Sequence, residues 1–99
     1  MKTRIEKAYR FYKHQYPSQI VMLRIGDSCS AYFDDAERLQ SVFGGNSASF
    51  SVPAENIYDF IRECGFKDMA VRLVSCRNLD GEFDVPDVET IENERISDY

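Results

Sequence analysis

The segment 20–25 (Ile-Val-Met-Leu-Arg-Ile) limits the possible folds more than any other part of the chain. It is short and rich in β-forming residues, and its apolar side chains are consecutive rather than alternating. This pattern predicts a strand that is largely buried on both faces. Its longest apolar run, 20–23, is far too short to span a bilayer, so we expect no membrane association.

An amphipathic helix is predicted before this strand. Thr3 and Glu6 have the spacing of a capping box, in which the threonine side chain accepts a hydrogen bond from the third helical residue. The helix is expected to end near Tyr16, because Pro17 disfavours a helical conformation in the residue before it. Its predicted apolar stripe consists of Ile5, Ala8, Tyr9, Tyr12 and Tyr16.

The middle of the chain predicts a strand, a helix and another strand. After a turn at Gly26-Asp27, residues 31–33 are expected to form a strand that returns beside the first. Asp34 is the predicted N-cap of the second helix, which is expected to end at Gly44-Gly45. The predicted apolar stripe of this helix is Ala36, Leu39, Val42 and Phe43. Residues 48–52 alternate apolar and polar side chains, as a half-buried strand does.

The last third predicts one more helix and one or two strands. Pro53 is placed in the first turn of the third helix, and Gly65 at its end. The stripe of this helix is Ile57, Phe60, Ile61 and Cys64. A fourth strand is predicted at 69–76, with Val71 and Leu73 facing inward, and a short hairpin strand at 82–85.

These elements predict an α+β fold with one mixed β-sheet of about four to six strands and three helices packed on it. The 99 residues suffice for one domain, which we place at residues 1–85. Residues 86–99 are acidic and unpatterned, and are predicted to be a mobile tail. The predicted helical and strand aromatics are interpreted as core packing rather than base stacking.

Charge is distributed unevenly along the chain. The net charge is −5, but residues 80–99 carry −7 and residues 1–79 carry +2. A basic start and an acidic end are compatible with a nucleic-acid or an acidic partner at one end. The tail has three interpretations: it is simply disordered, it screens the basic first helix of the same molecule, or it docks on a basic partner.

The order of motifs resembles the N-terminal mismatch-recognition domain of the MutS DNA mismatch repair proteins. The resemblance covers about residues 5–76, and its most specific part is the segment 24–27 (Arg-Ile-Gly-Asp) with Asp35-Ala36 at the matching distance. In that family a helix ending at His-Pro precedes a strand with Arg-Met-Gly-Asp, and an Asp-Ala pair opens the next helix. Val-Pro and a helix that ends at Gly-Tyr follow; here they correspond to Val52-Pro53 and Gly65-Phe66.

The sequence departs from this family where the family reads a mismatch. A phenylalanine that stacks on the mispaired base, and a glutamate that hydrogen-bonds it, are replaced here by Ser28 and Ser30. Serine has no π face, whereas base–aromatic stacking contributes about 1–3 kcal/mol per base. The resemblance therefore implies the fold of a degenerate, stand-alone MutS-like domain, with DNA contact but no mismatch reading. It does not imply ATPase activity, since no phosphate-binding G-x-x-x-x-G-K-[ST] loop is present.

The candidate site is a nucleic-acid-binding surface. Several Lys/Arg contacts to phosphate are needed for binding at physiological salt. The residues assigned to this surface are Arg4, Lys7, Arg10, Lys13, Arg24, Ser28 and Ser30. The expected partner is duplex DNA or a protein of a DNA-processing complex. The alternative is a protein–protein interaction module that no longer binds DNA.

No enzymatic activity, metal, cofactor or small-molecule substrate is expected. The turn before Ser28, Cys29 and Ser30 follows a strand but lacks the second glycine of a nucleophile elbow. The single histidine, His14, lies on the first helix. Three cysteines without close spacing indicate neither a disulfide framework nor a zinc site, and the N-terminus lacks a signal-peptide apolar region, so a cytoplasmic location is predicted.

Overall fold

The computed structural model describes residues 3–77, 80–82 and 84. Within them the chain forms three α-helices and one four-stranded sheet. In chain order the elements are α1 (Arg4–Gln15), β1 (Ile20–Ile25), β2 (Ser28–Tyr32), α2 (Phe33–Phe43), β3 (Ser49–Pro53), a 3-10 turn (Ala54–Asn56), α3 (Ile57–Phe66) and β4 (Val71–Ser75). The predicted α+β class is confirmed.

The sheet is mixed, with strand order β3-β2-β1-β4. β1 and β2 form an antiparallel hairpin, and β3 extends it in antiparallel fashion. β4 lies parallel to β1 on the other side, which requires the chain to cross over through α2, β3 and α3. β1 is therefore an inner strand, as its apolar sequence predicts.

Helices cover β1 on both faces. Ile20 and Met22 pack with residues of α2 and α3, whereas Val21 and Leu23 pack with Ala8 and Tyr9 of α1. All four β1 side chains are fully buried. Burial of such a side chain contributes about 1.5–3 kcal/mol, so β1 is a principal source of stability for both layers.

The start of α1 is confirmed and the start of α2 is corrected. The Thr3 hydroxyl accepts a hydrogen bond from the Glu6 backbone N–H at 3.1 Å, as the capping box predicts. The N-cap of α2 is Tyr32, not Asp34, and it makes no side-chain cap hydrogen bond. The reason is that β2 covers residues 28–32 and passes directly into the helix through Phe33, whose φ is 53°.

Pro53 and Gly65 also lie elsewhere than predicted. Pro53 is the last residue of β3, an edge strand that tolerates proline's missing N–H, and the 3-10 turn separates it from α3. Gly65 lies inside α3, which ends one residue later, at Phe66. Asp68, with φ of 58°, adopts the left-handed conformation after the helix.

Most of the predicted core is confirmed. The rings of Phe43, Phe50 and Phe60 pack together with centroid distances of 5.1–6.2 Å. The prediction that Val42 belongs to the apolar stripe of α2 is wrong: it is 44% exposed, at the edge of the buried helix face.

Only part of the C-terminal segment lies within the described residues. The Asp84 N–H donates to the Cys76 carbonyl at 3.1 Å, so the chain returns to the end of β4. The predicted hairpin strand at 82–85 lies partly outside the described residues, and the predicted tail, 86–99, lies wholly outside them.

Candidate nucleic-acid interface

The outward side of α1 is exposed and mostly basic. Arg4, Lys7, Arg10 and His14 are all exposed. Arg10 forms an ion pair with Glu6 one turn earlier, with a distance of 3.1 Å between Nη2 and Oε1. An exposed pair of this kind contributes less than about 1 kcal/mol, so Arg10 can exchange Glu6 for another anion at small cost.

Lys13 has a structural contact that the sequence did not indicate. Its Nζ donates to Asp35 Oδ1 at 2.9 Å and to the Gln19 carbonyl at 2.6 Å. A lysine ammonium has three donors, so these two bonds leave one for any other acceptor. The charge of Lys13 is thus compensated by a buried carboxylate, whereas the Glu6 partner of Arg10 lies on the exposed side of the helix.

Asp35 is the buried acceptor at the centre of this contact. It is 4% exposed, and its Oδ2 accepts hydrogen bonds from the Tyr9 hydroxyl at 2.6 Å and the Val21 N–H at 3.0 Å. Burial, reinforced by the hydrogen bond to Asp35, raises the pKa of the Tyr9 hydroxyl well above its usual range. Sequence reasoning missed this role, although Tyr9 and Lys13 have the i, i+4 spacing that places two side chains on one helix face.

The strand register separates the other predicted site residues. Ser28 is paired with Ile25 and Ser30 with Leu23, so both serines face the α1 side of the sheet. Arg24 is paired with Cys29, which is buried on the side of α2 and α3. Arg24 therefore does not share a face with the two serines.

Arg24 instead lines a cavity of about 500 Å³ at the end of the hairpin. Asp27 and Glu55 lie in the same cavity, and Arg24 Nε lies 3.4 Å from the Gly26 carbonyl oxygen. With two acids beside one arginine, this cavity offers little attraction for phosphate.

The serines form an uncharged strip beside α1. Ser30 and Ser51 are cross-strand partners, and their hydroxyl oxygens lie 2.7 Å apart. Ser28 and Ser49 lie on the same face, one at each end of the strip. Ser28 and Ser30 therefore lie on the same side of the sheet as the basic helix α1, as small uncharged side chains.

A groove between α1 and the start of α2 adds residues that sequence reasoning did not select. It has a volume of about 410 Å³. Its lining consists of Tyr9, Arg10, Lys13, His14, Phe33 and Asp34. The Phe33 ring is 46% exposed and its centroid lies 6.0 Å from the Arg10 guanidinium carbon. No sequence signal marked Phe33 as exposed, because an aromatic residue next to a strand normally indicates core.

Basic side chains are more numerous on α1 than on α2 and α3 together. α1 contains four Lys/Arg residues and one acid, Glu6. α2 and α3 together contain five acids and two bases, Arg38 and Arg62. Two of these acids, Asp34 and Asp35, lie at the start of α2 against α1, so the α1 side attracts polyanions through its exposed Arg4, Lys7 and Arg10.

The three cysteines are free and buried in the core. Burial raises the pKa of each thiol, and for Cys76 the pKa reaches about 11. A thiol held in its neutral form is a poor nucleophile and a poor metal ligand. Across the described residues, no three His, Cys, Asp or Glu side chains are grouped so that they could hold a metal ion.

No model of a known protein family matches the chain, and no curated protein matches its sequence. None of the helices within residues 3–77 has the length and apolar character required to cross a membrane.

Proposed function

We propose that this domain is a non-catalytic, MutS-like module that contacts duplex DNA, alone or within a DNA-processing complex, without reading mismatches. The observation that carries the proposal is the row of exposed basic side chains, Arg4, Lys7 and Arg10, along the outward side of α1. The cytoplasm is the compartment that fits both this partner and three free thiols.

The phosphate contacts are assigned to the outward side of α1. Arg4, Lys7 and Arg10 are exposed there, whereas Lys13 is bound to Asp35. We therefore expect the first three to contact phosphate and Lys13 to position α1. The strip of Ser28 and Ser30 would lie against the DNA as a small polar surface, close enough for hydroxyl–phosphate hydrogen bonds but unable to wedge into a base step.

Fluorescence anisotropy with a labelled homoduplex and a matched mismatched duplex tests this proposal. Both duplexes should bind equally, and the affinity should fall steeply between about 50 and about 200 mM salt. Absence of binding to either duplex at the lower salt would exclude direct DNA contact. Clear preference for the mismatch would show that the serine pair does not abolish mismatch reading.

A matched pair of charge reversals tests the assigned surface. Lys7→Glu on α1 should weaken duplex binding and lower the salt slope by about 1–2, whereas Arg38→Glu on α2 should have little effect. Both substitutions change the net charge equally, so a similar loss in both would mean that α1 is not the contact surface.

The alternative function is a protein–protein interaction module, which a feature of α3 favours. Tyr58 and Phe66 are 75% and 78% exposed, and Arg62 lies between them at i, i+4 spacing. Tyrosine and arginine are enriched among the residues that dominate binding energy at protein interfaces. A partner captured from native extract that persists after nuclease treatment, and is lost in a Tyr58→Ser/Phe66→Ser variant with unchanged DNA binding, would establish this function.

A further inference from the structure

The groove between α1 and α2 is open, and it is lined by two aromatic rings and four charged or polar side chains. Its volume of about 410 Å³ lies within the usual range for small-ligand sites. Arg10 and His14 belong both to this groove and to the outward side of α1. A strand that follows the basic side would therefore pass the mouth of the groove.

Phe33 supplies an aromatic surface inside the groove. Its φ of 53° is rare for a bulky residue, and its ring is 46% exposed. The ring of Tyr9 supports it at a centroid distance of 5.4 Å. A half-exposed, supported aromatic ring beside an arginine is the arrangement on which unpaired bases stack.

Charge in the groove suits a base better than a free phosphate. Asp34 lines it together with Arg10 and Lys13, and the charge of Lys13 is already compensated by Asp35. A carboxylate repels phosphate but accepts hydrogen bonds from N–H groups. Guanine offers two adjacent donors, N1–H and the 2-amino group, on its Watson–Crick edge, which suits a carboxylate with two oxygens.

We infer that this groove binds one unpaired nucleotide of a single strand, with its base stacked on Phe33, its N–H edge at Asp34, and its flanking phosphates near Arg10 and His14. Guanine is the preferred base. The inference rests on the proposed function, since it names the nucleic-acid structure that the basic side would recognise in addition to duplex phosphate.

Anisotropy with short labelled single strands tests the inference. One oligonucleotide contains only thymine and the other has a single central guanine among thymines. Each is also prepared as RNA, with uracil in place of thymine, and a duplex of equal length is included. Phe33→Leu, which keeps an apolar side chain without a π face, should weaken single-strand binding by about five- to a hundredfold and leave duplex binding unchanged. Phe33→Tyr should retain single-strand binding, and Phe66→Leu on α3 serves as the matched control.

Asp34→Asn tests the base preference. It should remove the preference for the guanine strand over the thymine strand, with little change in thymine binding. In the wild-type protein, backbone amide chemical shifts of residues 33 and 34 should move when the guanine strand is added, which provides a readout that does not depend on a variant folding.

The outcomes separate the two proposals. Equal single-strand affinity for wild type and Phe33→Leu, with no shift at 33 and 34, would overturn the inference and leave duplex contact intact. Single-strand binding that depends on Phe33 without any duplex binding would support the inference and overturn the proposed function. Tighter binding of the RNA strand, dependent on Phe33, would support the groove and identify RNA as the source of the nucleotide.

Discussion

Asp35 connects three parts of the molecule through one carboxylate. Tyr9 and Lys13 of α1 and the Val21 N–H of β1 all donate to it, although it belongs to α2. It therefore fixes the helix that carries the proposed DNA contacts to both the sheet and the start of α2. The buried carboxylate of Asp35 thus has a structural role, which is to position α1.

We expect Asp35→Ala to lower the free energy of unfolding by about 2–4 kcal/mol, because it leaves a hydroxyl, an N–H and an ammonium without their buried acceptor. Tyr9→Phe removes only one of these donors and should cost about 1 kcal/mol. Urea unfolding followed by circular dichroism measures both. Asp34→Ala, at the exposed neighbouring position, is the control, and an equal loss there would show that Asp35 has no special structural role.

The sequence predicted the helix that contains Asp35, but it did not predict the buried contacts that this side chain makes. The segment Asp-Asp-Ala-Glu predicted this helix but placed its N-cap at Asp34 instead of Tyr32, and it gave no indication that Asp35 is buried. Its partners lie 14 to 26 residues away in sequence, so only the packed fold brings them together. The same holds for Phe33, since no local pattern indicated either its positive φ angle or its exposed ring.

The end of α3 differs from the prediction, because Gly65 lies inside the helix and another residue takes the position where a glycine is usual. The Met69 N–H donates to the Cys64 carbonyl at 2.9 Å and the Asp68 N–H to the Gly65 carbonyl at 3.2 Å. These two bonds form a Schellman motif with Asp68 at the left-handed position, where glycine is usual. The glycine predicted to end the helix stands three positions earlier.

Two opposite substitutions should therefore each stabilise the protein. Gly65→Ala gives a helical position a residue of higher helix propensity, and nothing lies within 4 Å of the added Cβ. Asp68→Gly relieves a side chain held at φ of 58°. Each should raise the free energy of unfolding by about 0.5–1 kcal/mol, measured by urea unfolding. A loss of stability in both variants would contradict this description of the helix end.

The sequence predicted the layered arrangement of helices and sheet well, but it predicted the candidate site only in part. The segment 20–25 has apolar side chains on both faces of its strand, so helices must pack on both sides of the sheet. The apolar periodicity of the sequence predicted these helices. The candidate site was assembled from neighbours in sequence, but β1 alternates its faces, so Arg24 and the pair Ser28 and Ser30 lie on opposite sides. A shift of one residue in the strand register would reverse which face each of these side chains occupies. The register depends on pairing between strands, which the local sequence does not specify.

Buried thiol and hydroxyl groups with raised pKa values should make the stability of the domain sensitive to alkaline pH. Burial raises the pKa of the Cys76 thiol from 9.0 to about 11. The unfolded chain releases this proton first, so the stabilising contribution is complete below pH 9.0 and is lost as pH rises toward 11. The loss attributable to this thiol is about 2–3 kcal/mol.

Urea unfolding of wild type and Cys76→Val between these pH values isolates this contribution. Both proteins should lose stability, because the pKa values of Tyr9, Cys29 and Cys64 are raised as well. The decline should be shallower in the variant, and parallel pH profiles would contradict the assignment to Cys76.

The acidic segment 86–99 predicts a charge effect on the proposed DNA contact. It contains five acids and one base, so its removal changes the net charge of the chain from −5 to −1. If it screens the basic first helix, as one interpretation of the sequence holds, this polyanion should compete with DNA phosphate for the basic side of α1 and should also repel the DNA. A chain ending at residue 85 should therefore bind duplex more tightly than the full chain at about 50 mM salt, and the difference should shrink as screening increases.

A full-length variant with the five acids changed to Asn or Gln should bind like the shortened chain, because charge rather than length causes the effect. Equal affinity of all three proteins at every salt concentration would show that the acidic segment neither screens α1 nor repels DNA, and would leave docking on a basic partner as its remaining charge-based role.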